Sequence, residues 1–173
     1  QSTSRIVVNR KLIPLVLVLI LLFSTAPLTS GNSGGIYNQG SGCGGGYCHG
    51  PNTNAVVSMS GQPASYTAGQ SYTLSISVTG GASGNIGGFS LDVDKGTLSA
   101  GIGFAVNVNQ AQNSATHSIT GSSSRSWSVD WIAPSTGSGI ATLDLAGNAA
   151  NGNGANTGDN WDSITFQIPE AGG

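Results

Sequence analysis

Charge is scarce in this chain: only 7% of its 173 residues are Asp, Glu, Lys or Arg. From residue 31 onward the shortage is one of cations, since Lys95 and Arg125 stand against seven carboxylates, a net charge of −5 with both histidines neutral. Nucleic acids and anionic lipids are bound by clusters of Lys and Arg, so this balance argues against both as partners. Histidine is nearly as rare, with His49 and His117 alone. Two imidazoles leave little acid–base chemistry, and there is no nucleophile elbow, zinc-protease helix or P-loop. A non-enzymatic role is expected. Two cysteines, Cys43 and Cys48, cannot make a disulfide-dense scaffold. After the first thirty residues no useful stretch carries the i, i+3, i+4 apolar period, which excludes a helical fold.

What is present begins with Arg5, Arg10 and Lys11, then the apolar run 12–23, then the small residues Ser24, Thr25 and Ala26. A basic start, a short apolar stretch and a small-residue exit read as a secretory signal over 1–30, or as a retained N-terminal membrane anchor. Either way the remainder is expected outside the cell, in contact with the cell envelope. Residues 31–54 form a Gly-, Asn- and Ser-rich lead without hydrophobic period, and 55–173 are expected to form one β domain.

That domain is written in alternation. Tyr72, Leu74, Ile76 and Val78 alternate with small polar residues, as do Phe89, Leu91 and Val93. Trp127, Val129 and Trp131 do the same before Pro134, and so do Ala141, Leu143 and Leu145. Phe104, Val106 and Val108, then Ile164, Phe166 and Ile168, add two more runs, while Val57 with Met59 and Ala115 to Ile119 add weaker ones. About eight short strands with Gly-rich turns predict an all-β, immunoglobulin-like antiparallel sandwich.

Two places carry candidate chemistry. Cys43-Gly44-Gly45-Gly46-Tyr47-Cys48-His49 packs both thiols and an imidazole into seven residues. The thiols and the adjacent histidine fit covalent haem c attachment, although four residues separate the cysteines where the usual spacing is two. They also fit a Cys43–Cys48 disulfide, or a metal such as zinc, for which no fourth ligand is evident. On the haem reading His49 ligates the iron and the second axial ligand comes from His117 or Met59. The Asn-, Asp- and Gly-dense run 148–162 is a second candidate, in which Asp159 and Asp162 offer hard oxygen ligands to calcium. The bland alternative there is turn formation. Asp92 and Asp94 read as solvated strand residues.

The C-terminal half resembles a known family. Trp131-Ile132-Ala133-Pro134 followed by the Gly-rich turn 137–139, and then Ala146-Gly147-Asn148-Ala149-Ala150-Asn151-Gly152-Asn153, are similar to the Reeler-like, choice-of-anchor V domains of secreted and cell-surface prokaryotic proteins. Tyr66-Thr67-Ala68-Gly69-Gln70 and Gly87-Gly88-Phe89-Ser90-Leu91 resemble earlier strands of that family, so the likeness spans 34–168. Members carry a Ser-Cys-x-x-Cys-His-Gly-like segment ahead of the sandwich. Ser41, Cys43, Cys48, His49 and Gly50 match it here, with two extra residues between the cysteines. The resemblance implies an extracellular β-sandwich held at a surface. Two functional readings follow: a haem-bearing module for extracellular electron transfer with redox or surface-protein partners, and a structural or adhesive module with a disulfide, calcium-stabilised or not.

Overall fold

The computed structural model of the protein describes residues 32–43, 49, 54–103 and 105–172. Residues 1–30, expected from the sequence to be a signal or anchor, lie outside them, as do Cys48 and Phe104. Nine strands occur among the described residues: β1 (Ala55–Ser60), β2 (Ser71–Gly80), β3 (Gly87–Val93), β4 (Thr97–Ala100), β5 (Val106–Val108), β6 (Ser114–His117), β7 (Ser126–Ile132), β8 (Ala141–Ala149) and β9 (Asn160–Ile168). All pair antiparallel, in a four-stranded sheet of order β1-β2-β7-β4 and a five-stranded sheet of order β5-β6-β3-β8-β9. The expected all-β antiparallel sandwich is the fold. The strand that alternation does not announce is β4, where only Leu98 faces the core. No helix of the described residues is long and apolar enough to cross a membrane.

The alternating apolar residues meet between the sheets. Leu74, Ile76, Val129, Trp131, Leu91, Leu143 and Leu145 are all at most 1% exposed. Trp131 anchors one end, edge-on to Tyr66 and stacked on Tyr72 with both centroid distances at 5.7 Å. Its indole N–H donates to the Lys95 carbonyl at 3.0 Å, which satisfies the polar edge of a buried ring. Trp127 plays the same part further along, 5.0 Å from Phe89, with its N–H on the Gly121 carbonyl. Both cations of the domain are spent on carbonyl groups. Lys95 Nζ reaches Ser138 and Ile140, and the Arg125 guanidinium reaches Gly80, Ala82, Ile86 and Ala150.

The outer faces of the two sheets differ. On the four-stranded sheet, Ser58, Ser77 and Ser126 form one cross-strand row, and Ser60, Ser75 and Ser128 form another. These six serines surround a shallow depression of about 540 Å³. On the five-stranded sheet, segment 32–43 crosses the strands like a strap. Its backbone N–H groups donate to side chains of the sheet: Asn38 to Ser114 Oγ at 2.9 Å, Gln39 to Ser90 Oγ at 3.1 Å and Gly40 to Asp92 Oδ2 at 2.7 Å. Glycine is required for this approach. A Cβ on Gly40 would sit 2.2 Å from the Asp144 carbonyl oxygen, and one on Gly35, where φ is +78°, 2.3 Å from Thr116 Oγ1. The Gly-rich lead is therefore seated on the sandwich up to Cys43. Asp92 is accordingly not a solvated residue, because it accepts hydrogen bonds from Gly40 and from the Ser114 hydroxyl. Asp94 accepts from the Thr142 N–H.

Candidate functional site

The strap delivers Cys43 to one corner of the five-stranded sheet. Gly42 passes over the Trp161 ring near the start of β9, where a Cβ would lie 3.2 Å from Trp161 Cζ3, and Cys43 follows. Cys43 is half-buried. His49 comes back to the same corner, with Nδ1 3.2 Å from Asp159 Oδ2. Asp159 lies immediately before β9, and Asn148 sits opposite Trp161 on β8. Cys43, His49, Asn148, Asp159 and Trp161 thus converge from the lead, the end of β8 and the beginning of β9.

This corner holds unusual polar atoms. The His49 side chain is 20% exposed and that of Asp159 5% exposed. Nδ1 of His49 faces the Asp159 carboxylate at ion-pair distance. Oδ1 of Asn148, a residue 9% exposed, is a buried oxygen without a hydrogen-bond partner among the described residues. Burial holds the His49 imidazole below its ordinary pKa of 6.5, and the Asp159 charge offsets this only in part.

Asp159 itself is anchored. Its Oδ1 accepts the Asn151 N–H at 2.9 Å, across the mouth of the β8–β9 loop. Within that loop Asn151 Oδ1 accepts from the Asn153 N–H and Asn153 Oδ1 from the Ala155 N–H, while both side-chain amides donate to the Thr157 carbonyl. These are local Asx turns, in which the side-chain oxygens are consumed by backbone donors. Asp162 is engaged elsewhere, accepting the Val57 N–H at 3.0 Å and joining the edges of β9 and β1. Among the described residues no three His, Cys, Asp or Glu side chains cluster as a metal cage. Asp159 and Asp162, grouped in sequence as calcium ligands, thus have separate structural tasks.

The other two sequence candidates are not brought to His49. Met59 is 7% exposed and packs in the core, on β1 opposite Ile76. His117 lies on β6, three strand positions from β9 in the sheet order, or roughly 14 Å across the sheet. Its Nδ1 accepts the Phe89 N–H at 3.3 Å and its ring lies against Trp127 and directly over Gly88. Burial lowers its pKa as well. What the sequence separates and the structure joins is His49 with Asp159: the first stands in the Cys43–His49 cluster, the second in the Asn-rich run 148–162.

No family model matches the chain, and no curated protein sequence matches it. Among solved structures it is similar to the reeler domain of human F-spondin. One crystal structure of that domain superposes with a TM-score of 0.50 at 19% identity, covering 80% of this chain and 96% of that one. Another gives 0.51 at 20% identity, covering 72% and 93%. At such identity the likeness is one of fold: the chain folds as a Reeler-like β-sandwich.

Proposed function

We propose that the chain is a non-catalytic, exported cell-surface module of the choice-of-anchor V kind, carrying one haem c on Cys43, Cys48 and His49 and passing electrons at the cell exterior. The observation that carries this reading is the placement of His49. A metal-ligating imidazole almost always gives its second ring nitrogen to a carboxylate or carbonyl, and His49 has Nδ1 turned to the buried Asp159 carboxylate at 3.2 Å. Nε2 is then the nitrogen offered to iron. Cys43 and Cys48 supply the thiols. Each S–H adds across one vinyl group, sulfur bonding one carbon and the hydrogen going to the other, so no oxidant is consumed. Bound there, the group supplies a one-electron couple.

Met59 and His117 do not serve as the second axial ligand in this reading, since one fills the core and the other holds the Phe89 N–H. His49 is the axial ligand from this chain. The extracellular setting, an envelope anchor and redox or surface-protein partners follow from the signal-like segment and the family resemblance. A pyridine haemochrome spectrum of the exported chain tests the proposal. A c-type spectrum that survives denaturation and is lost in Cys43→Ser/Cys48→Ser is expected. Exported chain without haem and with Cys43 joined to Cys48 would overturn it and leave the structural or adhesive module.

A further inference from the structure

We infer that Asp159 is a positioning residue for His49, and that the Asn-rich β8–β9 loop is the bracket that holds its carboxylate in place. The redox consequence rests on the haem reading; the placing of the ring proton is a property of the chain alone. Asp159 is 7% exposed and fixed through one oxygen by the Asn151 N–H at 2.9 Å, so that the other oxygen faces His49 Nδ1. Asn151 is itself pinned by Thr157 and Asn153, and Asn153 by Thr157 and Ala155. Gly158 completes the bracket. Its φ is +80°, and a Cβ there would lie 2.5 Å from Asn151 Nδ2. These contacts tighten the loop toward the Asp159 carboxylate, which has the His49 imidazole in front of it.

A carboxylate beside Nδ1 favours the tautomer with the proton on Nδ1 and keeps the Nε2 lone pair for a metal. It also makes the imidazole a more basic ligand, which favours the oxidised iron. The run that composition suggests as a calcium site is here assigned to the imidazole.

The test uses the full exported chain, its Asp159→Asn variant, and Asp162→Asn as a control whose carboxylate holds Val57 rather than His49. With haem bound, Asp159→Asn raises the midpoint potential while Asp162→Asn leaves it at the wild-type value. Equal potentials in wild type and Asp159→Asn overturn the inference. In haem-free protein, nitrogen NMR of His49 shows the proton on Nδ1 in wild type and moved toward Nε2 in Asp159→Asn. An unchanged tautomer overturns it whether or not haem binds. Asn151→Ala, which keeps the carboxylate but loosens the bracket, gives smaller shifts of the same sign and serves if Asp159→Asn does not fold. No shift in Asn151→Ala in that case counts against the bracket. A haem-free wild type with an Asp159-dependent tautomer removes the proposed function and leaves this inference standing.

Discussion

The two outer faces of the sandwich are built from the same alternation and end in opposite environments. On the four-stranded sheet the outward serines of β1, β2 and β7 stay largely exposed around an open depression. On the five-stranded sheet the outward Ser90, Ser114 and Thr116 are at most 2% exposed, because the strap lies over them. Alternation says which side chains leave the core; it does not say whether they reach water. The difference lies in small residues far away in sequence, since Gly35 and Gly40 let a backbone come down onto the sheet. The covered face is also the one that carries the site, as the strap ends in Cys43.

Breaking the covered face should cost most. Gly40→Val places a side chain against the Asp144 carbonyl and Asp92, and is expected to destabilise by about 3 kcal/mol through overpacking. A denaturant midpoint unchanged from wild type would show that the strap does not need this approach. Asp92→Ala leaves the Gly40 N–H and the Ser114 hydroxyl without their acceptor, with an expected loss of about 2 kcal/mol. Chemical denaturation reads this too, and a loss below that of an exposed Asp would mean that water replaces the carboxylate.

Next comes pH. The folded pKa of His117 lies below its ordinary 6.5 because of burial, so the unfolded chain takes up the proton first. Its contribution is intact above the ordinary imidazole value and is lost as pH falls from there toward the folded value. The melting temperature should therefore drop between neutral pH and about pH 5, and drop less in His117→Gln. Parallel curves for the two proteins would remove His117 from the account. The smallest effect belongs to the bare face, where Ser75→Lys should change stability by less than ~0.5 kcal/mol. A larger loss would show that this face is covered after all.

Much of this fold was readable in the sequence. Leu74, Ile76 and Val78, or Trp127, Val129 and Trp131, alternate cleanly because one side of each strand enters the core. β4 escaped because a four-residue strand carries a single buried apolar side chain, too little for a period. The strap escaped for another reason: a segment that pairs its backbone with side chains leaves no hydrophobic pattern. Of the site, the Cys43–His49 cluster stood out by residue type and spacing. Asp159 is legible in the sequence as a candidate calcium ligand and not as the partner of His49, since a contact between the lead and the β8–β9 loop is set by the closing of the sandwich. Met59 and His117 are the chain's other haem-ligand residue types; in the structure Met59 packs in the core and His117 accepts the Phe89 N–H.

Intact mass spectrometry of the exported chain, taken under denaturing conditions, bears most directly on the central claim that Cys43, Cys48 and His49 hold a haem. The chain should be heavier than its amino-acid sequence by one haem, and Cys43→Ser/Cys48→Ser should lose that increment. A wild-type mass below the sequence value by two hydrogens, with no haem, would contradict the claim and identify the pair as a disulfide.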